Sequence, residues 1–252
     1  MGLNQRFHEV FRNTPIIGVL HLAGSNPVKL AIEELDVFAE EGLDGALIEN
    51  YHCRDLRVLE KVLEESSRKT YPMVLGVNVL PNEFHLSMPL AARYQADFVQ
   101  LDFVAGKYER NGRALELDVV NYEKFKIKFP QVIVLGGVWP KYYKPAKDSI
   151  LEADLVEAMQ RAEGIIVTGQ GTGVETPMEK IRYFKAIVDK HPLLIGAGLN
   201  VENAHTQLLF ADGALVGSAL KVGDKTHTSL DRAKIRDLVH EVVRARTDKK
   251  RG

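Results

Sequence analysis

Eight short apolar runs, each leading into an amphipathic stretch, constrain this chain more than any other feature. They are Ile16–Leu20, Ala46–Ile48, Met73–Val77, Phe98–Leu101, Val132–Leu135, Ile165–Val167, Leu193–Ile195 and Ala214–Val216. Such runs are too apolar and too short for strands with one wet face. They read as parallel strands buried on both sides. Their spacing, roughly 20 to 35 residues, is what repeated βα units need. Eight units predict closure into a single (β/α)8 TIM barrel, and 252 residues is a fitting length for one such domain. A short N-terminal helix over Asn4–Arg12 is expected to cover the barrel bottom. Residues 1–14 then form an N-terminal cap and residues 247–252 a frayed tail.

Helix starts are legible too. Asn26 before Pro27, Asp55, Asn82, Asp148 and Asn200 stand where N-caps belong, and Thr176-Pro177-Met178-Glu179 has the form of a capping box. A last helix is expected from about Leu230 to Arg246.

The net charge of −1 gives no electrostatic reason to expect nucleic acid or an anionic membrane as partner. The single cysteine, Cys53, excludes an internal disulfide framework and suits a reducing compartment. Met1–Asn13 is polar, without an apolar signal region, and no run approaches the roughly 18 apolar residues of a membrane span. A cytoplasmic protein is expected. Among assemblies, a homodimer is the commonest form for such a protein.

In a barrel of this type the active face is built from strand C-termini and βα loops. The polar residues there are His21, Glu49, Asn50, Asn78, Asp102, Lys107, Trp139, Lys141, Thr168 and Gln170. Glu49 and Asp102 are the acid/base candidates, because a carboxylate partly desolvated at such a mouth can titrate toward neutrality. Asp102 can equally pair with Lys107. His21 reads as a proton donor near pH 7 or as a structural histidine. Asn78, Lys141, Trp139 and Thr168 are the substrate-binding candidates. Asn78 faces inward or outward according to strand phase.

Two segments near the end, Ile195-Gly196-Ala197-Gly198-Leu199-Asn200 and Val216-Gly217-Ser218, break from apolar runs into glycine and a helix-starting residue. Outward-facing amides beside a helix N-terminus are well built to hold phosphate. After the seventh and eighth strands, that is where a barrel of this kind places such a site. Gly196, Gly198, Asn200, Gly217 and Ser218 are the phosphate-binding candidates. Thr168-Gly169-Gln170-Gly171-Thr172-Gly173 reads as a mobile lid or a second set of backbone donors, and it lacks the ending of a Walker loop.

Other chemistries find little support. Neither His-Glu-x-x-His nor paired cysteines occur, so no metal site is predicted and no cofactor is called. Glu49, Asp102 and His21 remain the one set that can be imagined around a divalent ion. Gly-x-Ser-x-Gly is absent. Lys141 keeps a weak Schiff-base alternative alive.

Several segments resemble the BtpA family: Pro15–Leu22, Gly42–Asn50, Leu75–Leu80, Ala96–Val99, Ile166–Gly169 and the two glycine segments. The resemblance covers about Pro15 to Lys221 and implies a phosphate-binding type of barrel. The family is named for a member linked to photosystem I biogenesis and includes members labelled nucleosidases. It brings no settled reaction to carry over. After the fourth and fifth runs, Leu101–Gly106 and Gly136–Tyr143 depart from the family pattern. The aromatics Trp139, Tyr142 and Tyr143 can stack on a ring or pack the rim.

The expectation is an enzyme for a small phosphorylated metabolite, a phosphosugar or nucleotide-like compound. Acid/base chemistry of an isomerase, lyase or glycosidic hydrolase would do the work. The alternative is a non-catalytic assembly or regulatory factor that uses the barrel as a ligand-sensing scaffold.

Overall fold

A computed structural model describes residues 2–251. Met1 and Gly252, the outermost residues of the expected cap and tail, lie outside the described residues. In chain order the elements are α1 (Leu3–Val10), β1 (Ile16–Leu20), α2 (Pro27–Glu40), β2 (Gly45–Glu49), α3 (Leu56–Ser67), β3 (Val74–Asn78), α4 (Phe84–Arg93) and β4 (Phe98–Leu101). An excursion follows with β5 (Lys107–Arg110) and β6 (Arg113–Glu116), then α5 (Val119–Lys128), β7 (Ile133–Gly137) and β8 (Lys144–Pro145). The chain ends with α6 (Leu151–Arg161), β9 (Gly164–Val167), α7 (Met178–Val188), β10 (Leu193–Ile195), α8 (Val201–Leu208), β11 (Gly213–Val216) and α9 (Arg232–Lys249).

Eight parallel strands close in the order β1-β11-β10-β9-β7-β4-β3-β2. This is the (β/α)8 barrel that the eight apolar runs predict. The expected terminal helix is longer than anticipated. It continues through Thr247 to Lys249, whose ammonium bonds the Ala211 carbonyl, so these residues of the expected tail are helical.

Strand geometry explains what fills the barrel. Alternate residues face the axis. Ile17, Val19, Leu47, Phe98, Ile133, Leu135, Ile166, Leu194 and Leu215 form one buried cluster with Phe7 and Phe11. Phe7 and Phe11 are contributed by α1 and the residue just beyond it, so this end of the chain plugs the N-terminal end of the barrel. The helices pack a second, larger cluster outside.

Three expected caps hold: Asn26, Asp55 and Asn200 each accept a backbone N–H from their helix. Three do not. Asn82 instead accepts from the Phe103 N–H at 3.0 Å, tying two loops together. Thr176 is buried and donates its hydroxyl to the Ala197 carbonyl at 3.0 Å, so no capping box forms at α7. Helix α6 starts after Ile150, beyond the reach of Asp148.

The excursion between β4 and α5 was not anticipated. Strands β5 and β6 pair antiparallel across Asn111-Gly112, and β8 adds to β5 as a third strand. Both turn residues have positive φ, 53° and 73°. Asn-Gly is the residue pair that a tight hairpin prefers.

Candidate functional site

The inward parity continues past the apolar layer. From Ile17 and Val19 the next inward position is His21; from Leu47 it is Glu49; from Phe98 come Gln100 and Asp102. Ile166 leads to Thr168, Leu194 to Gly196 and Leu215 to Gly217. All of these line one cavity of about 1180 Å³ at the C-terminal mouth, with Val19, Leu47, Ile166 and Leu215 as its floor. A period of two therefore brings together residues that lie far apart in sequence.

Glu49 is buried at the end of β2. Its Oε2 accepts from Nδ2 of Asn78 at 2.8 Å. The same amide donates to Oε1 of Gln100 at 2.7 Å. Asn78 thus faces inward, but it is fully buried beside Glu49 on the adjacent strand and outside the cavity wall, so it positions the carboxyl rather than meeting substrate. Burial first, and then the Asp102 charge, push the Glu49 carboxyl up to about 7. At neutral pH such a group both takes and gives a proton readily.

Asp102 lies across the mouth. Burial also raises its pKa, but the Tyr143 hydroxyl, donating to Oδ2 at 2.6 Å, and the Lys141 and Arg110 charges oppose that rise. Tyr143 in turn accepts from Nη1 of Arg110 at 2.9 Å, and the guanidinium lies 4.8 Å from its ring centroid. The alternative pairing with Lys107 is not made. Lys107 is exposed on β5, away from the cavity, and Gln170 is likewise exposed outside it. Asn50 accepts from the Leu80 N–H at 2.8 Å and braces the loop after β3.

His21 is buried against Tyr51, with ring centroids 5.3 Å apart. Burial and then the charges of Lys221 and Lys141 lower its pKa to about 3. The expectation of a histidine that donates a proton near pH 7 is therefore corrected. The ring is neutral there, with one nitrogen to donate and the other to accept a hydrogen bond.

The glycine turns open into the same cavity. The Gly196 N–H is taken by the Val167 carbonyl at 2.8 Å, so Gly196 shapes the turn without offering its amide. Asn200 is occupied by the α8 cap: its Oδ1 accepts from the Asn203 N–H at 3.1 Å, and its own N–H donates to Asn203 Oδ1 at 2.9 Å. Among the described residues, the amides of Ala197, Gly198 and Leu199 on one turn, and of Gly217 and Ser218 on the other, have no protein acceptor. Gly198 has φ +71°, and a Cβ there would lie 2.3 Å from the Val174 carbonyl oxygen. Gly217 is needed for another reason: its Cβ would lie 2.4 Å from Cε1 of His21.

Lys141 lines the cavity, and its N–H donates to Thr168 Oγ1 at 2.8 Å. Thr168 keeps its hydroxyl proton for a ligand. Trp139 does not reach the mouth. Its Nε1 donates to Asp154 Oδ2 at 2.8 Å and its ring packs on the outer core, so its expected substrate role is corrected. Among the described residues no group of three or more His, Cys, Asp and Glu is placed to hold a metal ion. Glu49, Asp102 and His21 do not form a ligand set.

Sequence reasoning passed over Arg54, Arg110, Arg113 and Gln100, all of which line the cavity. Arg110 and Arg113 arrive on the hairpin, which the Arg110-Asn111-Gly112-Arg113 signal could have revealed.

A model of the BtpA family matches residues 12–244. The chain belongs to the BtpA family. Within this family group, an uncharacterized protein of Methanocaldococcus jannaschii is 26% identical over 253 residues, which cover 92% of this chain and 96% of the relative. The photosystem I biogenesis protein BtpA of Synechocystis is 24% identical over 258 residues, covering 93% and 89%. Among solved structures, 3-hexulose-6-phosphate synthase from Salmonella typhimurium aligns with a TM-score of 0.63 at 14% identity, over 92% of this chain and all of that one. That likeness is one of fold, and it agrees with the BtpA family chain being a (β/α)8 barrel. No described helix is long and apolar enough to cross a membrane.

Proposed function

We propose that this BtpA family member is an enzyme acting on a small phosphorylated metabolite, a phosphosugar or nucleotide-like compound, by acid/base chemistry. The observation that carries the reading is a carboxyl titrating at about 7 in the same cavity as two turns with open amides. The amides of Ala197–Leu199 and of Gly217–Ser218, beside the N-terminus of α8, hold the phosphate. Anchoring a remote phosphate provides binding energy that keeps the reacting carbon beside Glu49. Glu49 moves the proton. Asp102, fixed by Tyr143, adds its charge to the burial that raises Glu49 and can assist at the opposite side of a small ligand. An isomerase, a lyase or a glycosidic hydrolase can be built on this pair. The test is thermal: ribose 5-phosphate or inorganic phosphate should raise the melting temperature with concentration. No rise at millimolar ligand rejects the anchor.

The Synechocystis relative, a photosystem I biogenesis protein, favours a second reading, an assembly or regulatory factor that senses a ligand in the same cavity. The two readings part on turnover across a panel of phosphorylated metabolites. A scaffold binds and converts nothing.

A further inference from the structure

The cavity carries positive charge that the phosphate anchor does not use. Arg54, from the loop after β2, Arg110 and Arg113, from the β5–β6 hairpin, and Lys141, from the loop after β7, all line it. Among the described residues none of the four lies within ion-pair distance of a carboxylate, although cations elsewhere on the surface commonly do so. At the glycine-turn rim the situation is reversed: Lys234 is held by Asp224 at 2.7 Å, with Glu202 and Asp237 in the same wall. The open positive charge is therefore on the hairpin side.

These cations are not simply counter-ions for the acidic pair. Arg54 and Lys141 do act on both Glu49 and Asp102, yet both carboxyls remain shifted upward. Arg110 is also built in place. One Nη1 hydrogen bond and the Tyr143 ring face fix its guanidinium, leaving its remaining donors for an oxyanion. Pockets for single small ligands span roughly 300 to 1,000 Å³. At about 1180 Å³ this one has room for a ligand that reaches from the glycine turns to the hairpin.

We propose that the hairpin wall is a second anion subsite, so that the substrate is a sugar-sized molecule with a phosphate at one end and a second oxyanion, phosphate or carboxylate, at the other. This rests on the phosphate-anchor reading above. Arg110 and Lys141 hold the second oxyanion, Arg54 and Arg113 add long-range attraction, and Glu49 works on the carbons between.

The experiment is calorimetric titration of the full chain at pH 7 with ribose 5-phosphate, ribulose 1,5-bisphosphate and 6-phosphogluconate. At least one of the two doubly anionic ligands should bind about tenfold or more tightly than ribose 5-phosphate. The bisphosphate being favoured assigns a phosphate to the hairpin; 6-phosphogluconate being favoured assigns a carboxylate. Arg110→Met should weaken the doubly anionic ligand far more than ribose 5-phosphate and so erase the preference. Arg54→Met, on a different element, should reduce the preference even if the first variant folds poorly. Equal affinity for all three ligands overturns the second subsite while leaving the phosphate anchor standing. Binding of none overturns both.

Discussion

Nδ2 of Asn78 donates to Oε2 of Glu49 at 2.8 Å from the neighbouring strand, behind the cavity lining, and its second proton goes to Gln100. The amide therefore fixes the carboxyl without sharing the cavity with it. Glu49→Gln keeps an oxygen for Asn78 and removes the titrating proton. Turnover of any converted phosphosugar should drop about 10²- to 10⁴-fold, while the melting temperature at pH 7 stays level or rises. Steady-state kinetics beside a thermal melt checks both, and retained turnover would remove Glu49 from the chemistry.

Glu49 and His21 pull stability in opposite directions with pH. Folding raises the Glu49 carboxyl from 4.5 to about 7, so within that window the folded chain holds a proton the unfolded chain has released. Stability from this group falls as pH rises there, by on the order of 3 kcal/mol across the window. Folding lowers His21 from 6.5 to about 3, so the unfolded chain binds the extra proton and stability falls as pH drops. From pH 4.5 to 6.5 the slopes oppose each other. In Glu49→Gln the opposing carboxyl slope is gone, and the melting temperature should climb with pH more steeply than in the wild type. Parallel curves would show that the Glu49 carboxyl is not raised on folding.

Tyr143→Phe removes the hydroxyl that donates to Asp102 and accepts from Arg110. Both partners lose a half-buried bond, at a cost of about 1 kcal/mol each. Because that hydroxyl opposes the rise in the Asp102 pKa, the carboxyl should titrate at higher pH in the variant. The acidic limb of the pH–rate profile should move up with it; an unmoved limb would leave Asp102 out of the rate.

Gly217→Ala places a methyl 2.4 Å from Cε1 of His21, so the ring or the turn must shift. Overpacking of this kind costs about 1–3 kcal/mol. The phosphate-dependent rise in melting temperature should shrink as well, because the turn that presents the Gly217 and Ser218 amides must shift. A variant that melts lower yet keeps the full phosphate response would place the anion elsewhere.

The architecture was legible because barrel strands are apolar on both faces and their spacing betrays the helices between them. Parity was legible in principle as well: Ile17-Val19-His21 and Leu47-Glu49 place their last members at the mouth. Whether an amide there is open was not. Asn200 looks like a ligand and a cap equally, and only the capping box with Asn203 decides it. The His21 environment depends on Lys221 and Lys141, 200 and 120 residues further along the chain, and no local pattern reports it. Trp139 follows its strand by two residues, yet a backbone turn with φ +47° sends its ring to Asp154 instead of the mouth. The hairpin was missed because Lys107–Glu116 is polar and short, although Asn111-Gly112 marks its turn.

The account is tested most directly by following the side-chain carboxyl of Glu49 by ¹³C NMR as a function of pH, assigned by its absence in Glu49→Gln, with and without ribose 5-phosphate. A midpoint near 7 in the free protein is predicted, moving upward when the ligand is present because its negative charge favours the protonated carboxyl. A midpoint at the ordinary 4.5, or one that the ligand leaves in place, contradicts it.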